Sequence, residues 1–217
     1  MIGEGEKTAG RATADVARAL YLDLMKRCVT NWIYGDDELA YATPRSFWKR
    51  WVVLLIERAG LRVVYPYKFD PQKRTVGKDW SPMGHSMIGL KRLDQLQASI
   101  EDVLRRNVPG DLIETGVWRG GATIFMRAIL KAYGDKERCV WVADSFQGLP
   151  PPDAEKSPLD AGIQLHKVKF LAVSLEKVKA NFERYGLLDE QVRFLKGWFK
   201  DTLPNAPIKR LAIIRLD

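Results

Sequence analysis

Apolar side chains recur near helical spacing from about Thr13 to Thr30, where Val16, Ala19, Leu20, Leu24 and Val29 fall towards one face. Thr43-Pro44 reads as an N-cap with proline in the first turn, opening a helix that runs to Ala59 and stops at Gly60. Phe47, Trp51, Leu54 and Leu55 give that helix enough for one strongly buried face. Residues 61–84 carry prolines and scattered aromatics and read as a loop lying against the body. A third helix spans about Ser86 to Arg106, with Ser86 as its N-cap and Leu90, Leu93, Leu96, Ile100, Val103 and Leu104 on one side.

At Pro109-Gly110 the period changes. Short unbroken apolar runs at Leu112–Thr115, Cys139–Ala143, Val192–Lys196 and Leu211–Leu216 alternate with helical patterns at Gly120–Ala132 and Ser174–Tyr185. Such strands, separated by helices, predict an α/β fold whose parallel sheet is covered on both faces. The expected division is a helical N-terminal extension, 1–107, lining an acceptor, lid or oligomer region, and a nucleotide-type domain, 108–217. The last strand ends with the sequence at Asp217, so that domain is expected to be incomplete, truncated after its fourth strand.

Composition changes this picture little. Apolar residues make up 46% of the chain, as in ordinary globular proteins. The net charge of +8 invites a nucleic-acid reading, but the 35 basic residues alternate with 27 acidic ones and form no block. Most of that charge is expected on solvated helix faces, and no nucleic-acid partner is expected. Cys28 and Cys139 are too few for a disulfide framework or a cysteine metal site, and Cys139 reads as a small buried apolar residue. No apolar run reaches membrane-spanning length and the polar N-terminus lacks a signal-peptide core, so a cytoplasmic location without membrane contact is the expectation.

The chemistry concentrates at Asp111-Leu-Ile-Glu-Thr-Gly-Val-Trp-Arg-Gly-Gly-Ala122, a strand breaking into a glycine turn and a helix. A dinucleotide fingerprint needs Gly-x-Gly-x-x-Gly, and Trp118 fills the second glycine position. A ligand with a carboxylate, an amine and a ribose but no phosphate fits better, and S-adenosylmethionine (SAM) is the candidate. Gly116 and Gly120 would let its methionine part approach the backbone, and the helix N-terminus would meet its carboxylate. Glu114 could accept from the amino group, or could instead pair on the surface. Asp144 follows the second strand, where a carboxylate can grip ribose hydroxyls, with a helix N-cap as the alternative. Ser145 could add a hydroxyl contact. Gly197 permits a bend after the third strand, and Trp198 there either packs on adenine or belongs to the core. Trp32, Tyr34, Tyr41, Trp48 and Tyr65 could line a pocket for an apolar glycoside, although Trp48 reads more readily as core. His166 lies in the charged, proline-rich segment 150–170, expected as a mobile lid, and a catalytic role for it has little support. His85 and His166 lack metal-ligand spacing.

Glu114-Thr-Gly-Val-Trp-Arg-Gly-Gly121, Val142-Ala-Asp-Ser-Phe-Gln-Gly-Leu-Pro150 and Phe194-Leu-Lys-Gly-Trp-Phe-Lys-Asp-Thr-Leu-Pro204 resemble the macrocin O-methyltransferase (TylF-type) family over roughly residues 80–217. The resemblance implies a Rossmann-like class I SAM methyltransferase fold. It also implies SAM- and Mg²⁺-dependent methylation of a sugar hydroxyl on a macrolide or aminocoumarin glycoside, and a homo-oligomer. It places Asp144 and Ser145 at the SAM ribose and adenosine and Met87 near the sulfonium, although a bare methionine is more often apolar filler; Glu114, Thr115, Gly116, Gly120, Gly197 and Trp198 complete the expected SAM contacts. Asp217 becomes a Mg²⁺ ligand and the general base, with the remaining acidic ligands absent from this sequence. The alternative is a catalytically inactive SAM-binding fragment of such an enzyme. A nucleic-acid methyltransferase is disfavoured by the missing basic stripe and Asp/Asn-Pro-Pro-Tyr signature.

Overall fold

The computed structural model describes residues 4–153, 162 and 164–217, with side chains of residues 4–9 and 11 left aside. Its helices are α1 (Glu4–Val29), α2 (Phe47–Arg58), α3 (Pro71–Val76), α4 (Gly89–Arg105), α5 (Gly121–Ala132), α6 (Leu175–Arg184) and α7 (Phe199–Thr202). Strands β1 (Leu39–Tyr41) and β2 (Val64–Pro66) pair antiparallel. The main sheet is built from β3 (Asp111–Thr115), β4 (Val140–Asp144), β5 (Val192–Lys196) and β6 (Leu211–Leu216). It is wholly parallel in the order β5-β4-β3-β6, so the chain reverses direction of travel across the sheet between β3 and β6. This is the expected α/β arrangement, and its switch point is where open parallel sheets bind ligands.

Strand alternation divides the core. Leu112, Val140 and Val142 point into a large cluster with Leu22, Met25 and Val29 of α1, Leu93, Leu96 and Ile100 of α4, and most of α5. Ile124, Phe125, Met126, Ile129 and Leu130 are fully buried; at about 1.5–3 kcal/mol per large side chain, α5 is the main hydrophobic contributor to the sheet's first face. Arg127, also buried within α5, is neutralised by Asp189 at 2.7 Å. The second face is thinner: Ile113, Trp141 and Ala143 meet partly buried Leu195, Leu203, Ile208 and Leu211. Cys139 is only half-buried against this second cluster.

The N-terminal half departs from its periodicity. Helix α1 buries Leu22, Met25 and Val29, while Val16, Leu20 and Leu24 are exposed. Helix α2 begins after Ser46 rather than at Thr43-Pro44, has no side-chain cap and buries no residue. Phe47, Trp48, Trp51, Leu54 and Leu55 are all exposed, so the buried face expected of this helix, and a core role for Trp48, are not found. Amphipathic spacing specifies that a face is apolar, not which element covers it.

The stretch read as a loop, 61–84, contains β2 and α3. Asp70 caps α3 by accepting from the Gln72 and Lys73 N–H groups, and Pro71 follows at the first helical position. Its Arg74 is 1% exposed. The guanidinium donates to Glu38 at 2.7 Å, Asp79 at 2.6 Å and the Thr30 carbonyl at 2.7 Å. Burial alone would push the Glu38 carboxyl up. Hydrogen bonds from Ser81, Arg74 and the Met83 N–H outweigh that and hold it below the usual carboxylate range. This network joins the end of α1, the start of the β1–β2 pair and the strap that leads to α4.

Removing one member of a buried ion network strands the others, so Arg74→Ala should cost about 3–5 kcal/mol, read as a lowered urea midpoint. Arg74→Lys should recover only part of that loss, because an ammonium cannot reproduce the planar fork that serves two carboxylates and a carbonyl.

Candidate active site

At the carboxyl ends of β3, β4 and β6 lies a cavity of about 450 Å³, within the roughly 300–1,000 Å³ of small-molecule sites. Met87, Gly116, Trp118, Asp144, Gly197 and Asp217 line it, with Ser145, Trp198, Leu149 and Leu171. Three strand ends are stitched together around Asp144. Its carboxylate accepts from the Val117 N–H at 2.8 Å and the Phe146 N–H at 2.8 Å, and its carbonyl accepts from the Gly197 N–H at 2.9 Å. Gly116 turns out of β3 at φ 84°, a conformation that favours glycine, with the Asp217 carbonyl 3.5 Å from where a Cβ would stand.

Parallel pairing sets Glu114 opposite Arg215. The guanidinium bonds the Glu114 Oε1 and, at 2.8 Å, the Asp217 Oδ1. Glu114 is 2% exposed, and its Oε2 is buried with no hydrogen-bond partner. Burial pushes its carboxyl up to about 8; the Arg215 cation opposes this, and Asp217 and Asp144 add to it. Glu114 borders a narrow void that it shares with His85, Ser86, Met87 and Asp217. An unmatched buried carboxylate oxygen beside a void is chemically suited to a cationic donor such as an ammonium group. The donor set therefore fits SAM.

Several expected contacts are placed elsewhere. The Thr115 side chain lies on the second face of the sheet, in a depression with Ile113, Leu203 and Leu211, because alternation sends it opposite to Glu114. Gly120 caps α5 at φ 84°, and a Cβ there would meet Val178 at 2.9 Å; its bareness serves helix packing. Gly121 lets the His85 carbonyl approach to 2.4 Å of its would-be Cβ. The Gly120 and Gly121 N–H groups are spent on the Val117 and His85 carbonyls, so they are not free for a ligand carboxylate. Ser145 lines the cavity but uses its hydroxyl within a turn, donating to Gly148 and accepting from the Gln147 N–H. Ser86 does not cap α4; that helix opens after Ile88 without a side-chain cap.

Arg215 and the lining role of Trp118 escaped the sequence reading, although an arginine two residues before an acidic strand end carried the signal for Arg215. His166 sits in a 3-10 turn, Leu165–Lys167, and is not among the described residues that line the cavity. The proposed lid falls partly on residues 154–161 and 163, outside the described residues. Among the described residues no group of three or more His, Cys, Asp or Glu is placed to hold a metal. Asp217 alone does not satisfy six-coordinate Mg²⁺, so these residues do not by themselves fit that ion. No described helix is long and apolar enough to cross a membrane.

The family model described as Macrocin-O-methyltransferase (TylF) matches residues 18–217. The chain is 54% identical over 202 residues to a Streptomyces olivaceus protein, 8-demethyl-8-(2,3-dimethoxy-alpha-L-rhamnosyl)-tetracenomycin-C 4'-O-methyltransferase, covering 93% of this chain and 69% of that one. It is 51% identical to mycinamicin III 3''-O-methyltransferase of Micromonospora griseorubida, covering 91% and 71%. The solved structure of the O-methyltransferase NovP superposes with a TM-score of 0.76 at 45% identity, over 92% of this chain and 72% of that one.

His85 supplies a test of the site's packing. Burial, then the positive charges of Arg119, Arg184 and Lys177, lower its pKa to about 4, while its Nδ1 lies 2.9 Å from the Tyr185 hydroxyl. Below pH about 6.5 the unfolded chain takes up a proton that the folded chain refuses until pH about 4. Stability should therefore fall with falling pH across that window, by up to roughly 3 kcal/mol. Urea midpoints measured from pH 7.5 to 4 should show this slope, flattened in His85→Gln; equal slopes would mean an ordinary surface histidine.

Proposed function

This chain belongs to the macrocin-O-methyltransferase (TylF) family, and from that membership we propose that it transfers a methyl group from SAM to a sugar hydroxyl of a glycosylated natural product. The observation that carries the reading is the cavity at the switch point, lined by Gly116 and Asp144, with the unmatched Glu114 oxygen at the adjoining narrow void that shares Met87, Trp118 and Asp217 with it. The relatives' acceptors, a rhamnosylated tetracenomycin and mycinamicin III, suggest a glycoside with a bulky apolar aglycone.

Bound SAM supplies an electrophilic methyl on a positively charged sulfonium. Glu114 would accept from its amino group, and Asp144, with lone pairs beyond those spent on the Val117 and Phe146 N–H groups, from its ribose hydroxyls. Met87, Trp118 and Leu171 contribute apolar walls that exclude water from the transfer. Asp217, held by Arg215 at the cavity edge, would take the proton that the acceptor hydroxyl sheds as its oxygen bonds to the methyl carbon. Alignment of hydroxyl and methyl supplies much of the acceleration. Asp217 would give a divalent cation a single oxygen ligand.

Calorimetric titration with SAM and S-adenosylhomocysteine, followed by methyl-transfer assays on the two acceptor types, tests the reading. Asp144→Ala and Glu114→Gln should each weaken SAM about 10-fold or more, the loss of a charge-assisted hydrogen bond. Asp217→Asn should leave SAM affinity within about 2-fold and slow transfer about 100-fold or more. Absence of SAM binding by the unaltered chain would overturn the proposal.

A further inference from the structure

Beside the cavity, three aromatic rings form a row. Trp118, in the cavity wall, lies 5.2 Å from Phe170, and Phe170 lies 6.0 Å from Trp80 with the two planes only 4° apart. The inner two rings are braced. The Trp118 indole N–H donates to the Phe170 carbonyl at 2.9 Å, which steadies a backbone held at φ 48°, uncommon for a bulky side chain. The Arg119 guanidinium stands 4.3 Å from the Trp118 ring and 4.8 Å from Phe170. Its Nη1 donates to the Pro82 and Gly84 carbonyls at 2.8 and 2.7 Å.

Trp80 is the outer end, and it is displayed from a strap whose backbone is tied down. Its neighbours Asp79 and Ser81 are buried and tied into the Arg74–Glu38 network, and Met83 donates its N–H to Glu38 at 2.8 Å. The strap is thus pinned on both sides of Trp80, while the indole itself remains 48% exposed and Phe170 stacks against it. A large ring held out by an ordered backbone forfeits burial that a polar residue would not need. A preorganised indole offers the C–H face of a sugar, or a flat apolar aglycone, a contact surface at small entropic cost.

We propose that the Trp80–Phe170–Trp118 row is the acceptor platform, with Trp80 stacking on the apolar face of the glycoside while Trp118 forms the boundary with the methyl-donor cavity. This deepens the functional reading above and rests on it. Trp80 is a positioning residue: it would set acceptor affinity and leave the donor untouched.

The test uses the full chain saturated with S-adenosylhomocysteine and the probe 4-nitrophenyl α-L-rhamnoside, with saturation-transfer NMR to locate the contact and titration to measure it. Expected are transfer to the sugar C–H and aryl protons, probe affinity weakened 5-fold or more in Trp80→Ala, recovery in Trp80→Phe, and unchanged S-adenosylhomocysteine affinity in both. Equal probe binding by Trp80→Ala, no probe binding by the unaltered chain, or a parallel loss of S-adenosylhomocysteine binding would overturn the platform. If the unaltered chain fails to bind S-adenosylhomocysteine at all, the methyltransferase reading itself fails; failure of the probe arms alone leaves that reading standing.

Discussion

The register between β3 and β6 places the Arg215 guanidinium against the Glu114 carboxylate, and much of the site's electrostatics follows from that pairing. Side chains alternate along a strand, so a slip of one residue would carry Arg215 to the opposite face and leave Glu114 without a cation in the interior. The same guanidinium reaches Asp217, so one cation organises two carboxylates, Asp217 in the cavity lining and Glu114 buried behind it at the adjoining void. It satisfies only one Glu114 oxygen, and the other faces a void beside Met87. A carboxylate left half-matched in the interior is unfavourable for folding alone, and it is the kind of feature that a cationic ligand compensates.

The helical N-terminal half takes part in building that cavity. Arg74 locks the end of α1, Glu38 at the start of the β1–β2 pair and residues 79–84 into one unit. From there the strap runs across the α5 N-terminus, where the His85 carbonyl accepts from the Gly121 N–H at 2.9 Å, and delivers Met87 to the cavity wall. Gly121 lacks a side chain because that crossing leaves no space for one, and Gly120 because α6 packs there. Gly120 and Gly121 of a turn that resembles a ligand cradle are thus accounted for by helix packing, while Gly116 lines the cavity.

Much of the Rossmann-like half was legible in the chain. Leu112, Ile113 and Val140–Ala143 are apolar on consecutive positions, as strands buried on both faces of a parallel sheet are, and the helices between them carry one apolar face each. Asp144, Gly116, Gly197 and Asp217 were also readable, since residues just past parallel strands collect at one edge whatever the details of packing. The first hundred residues were less legible. Leu20 and Leu24 in α1 lie on the helix face that nothing described covers, while Leu22 and Met25 pack on the core; spacing cannot choose between two overlapping stripes. The antiparallel β1–β2 pair has strands of three residues, too short to show a period, and a helix separates them in the chain.

What the sequence by itself determined, then, is the α/β order of elements, the strand-end acidic and glycine positions, and the family to which they belong, because each depends on local periodicity and on contiguous motifs. Tertiary structure alone decided the partners: Arg215 with Glu114 across a pairing 101 residues apart in the chain, Arg74 with Glu38 and Asp79, and the aromatic row from Trp80 to Trp118. Those contacts join residues with no sequence relation to one another, so their strength depends on how the sheet twists and where each strap crosses it, and neither is encoded in any single window of the chain.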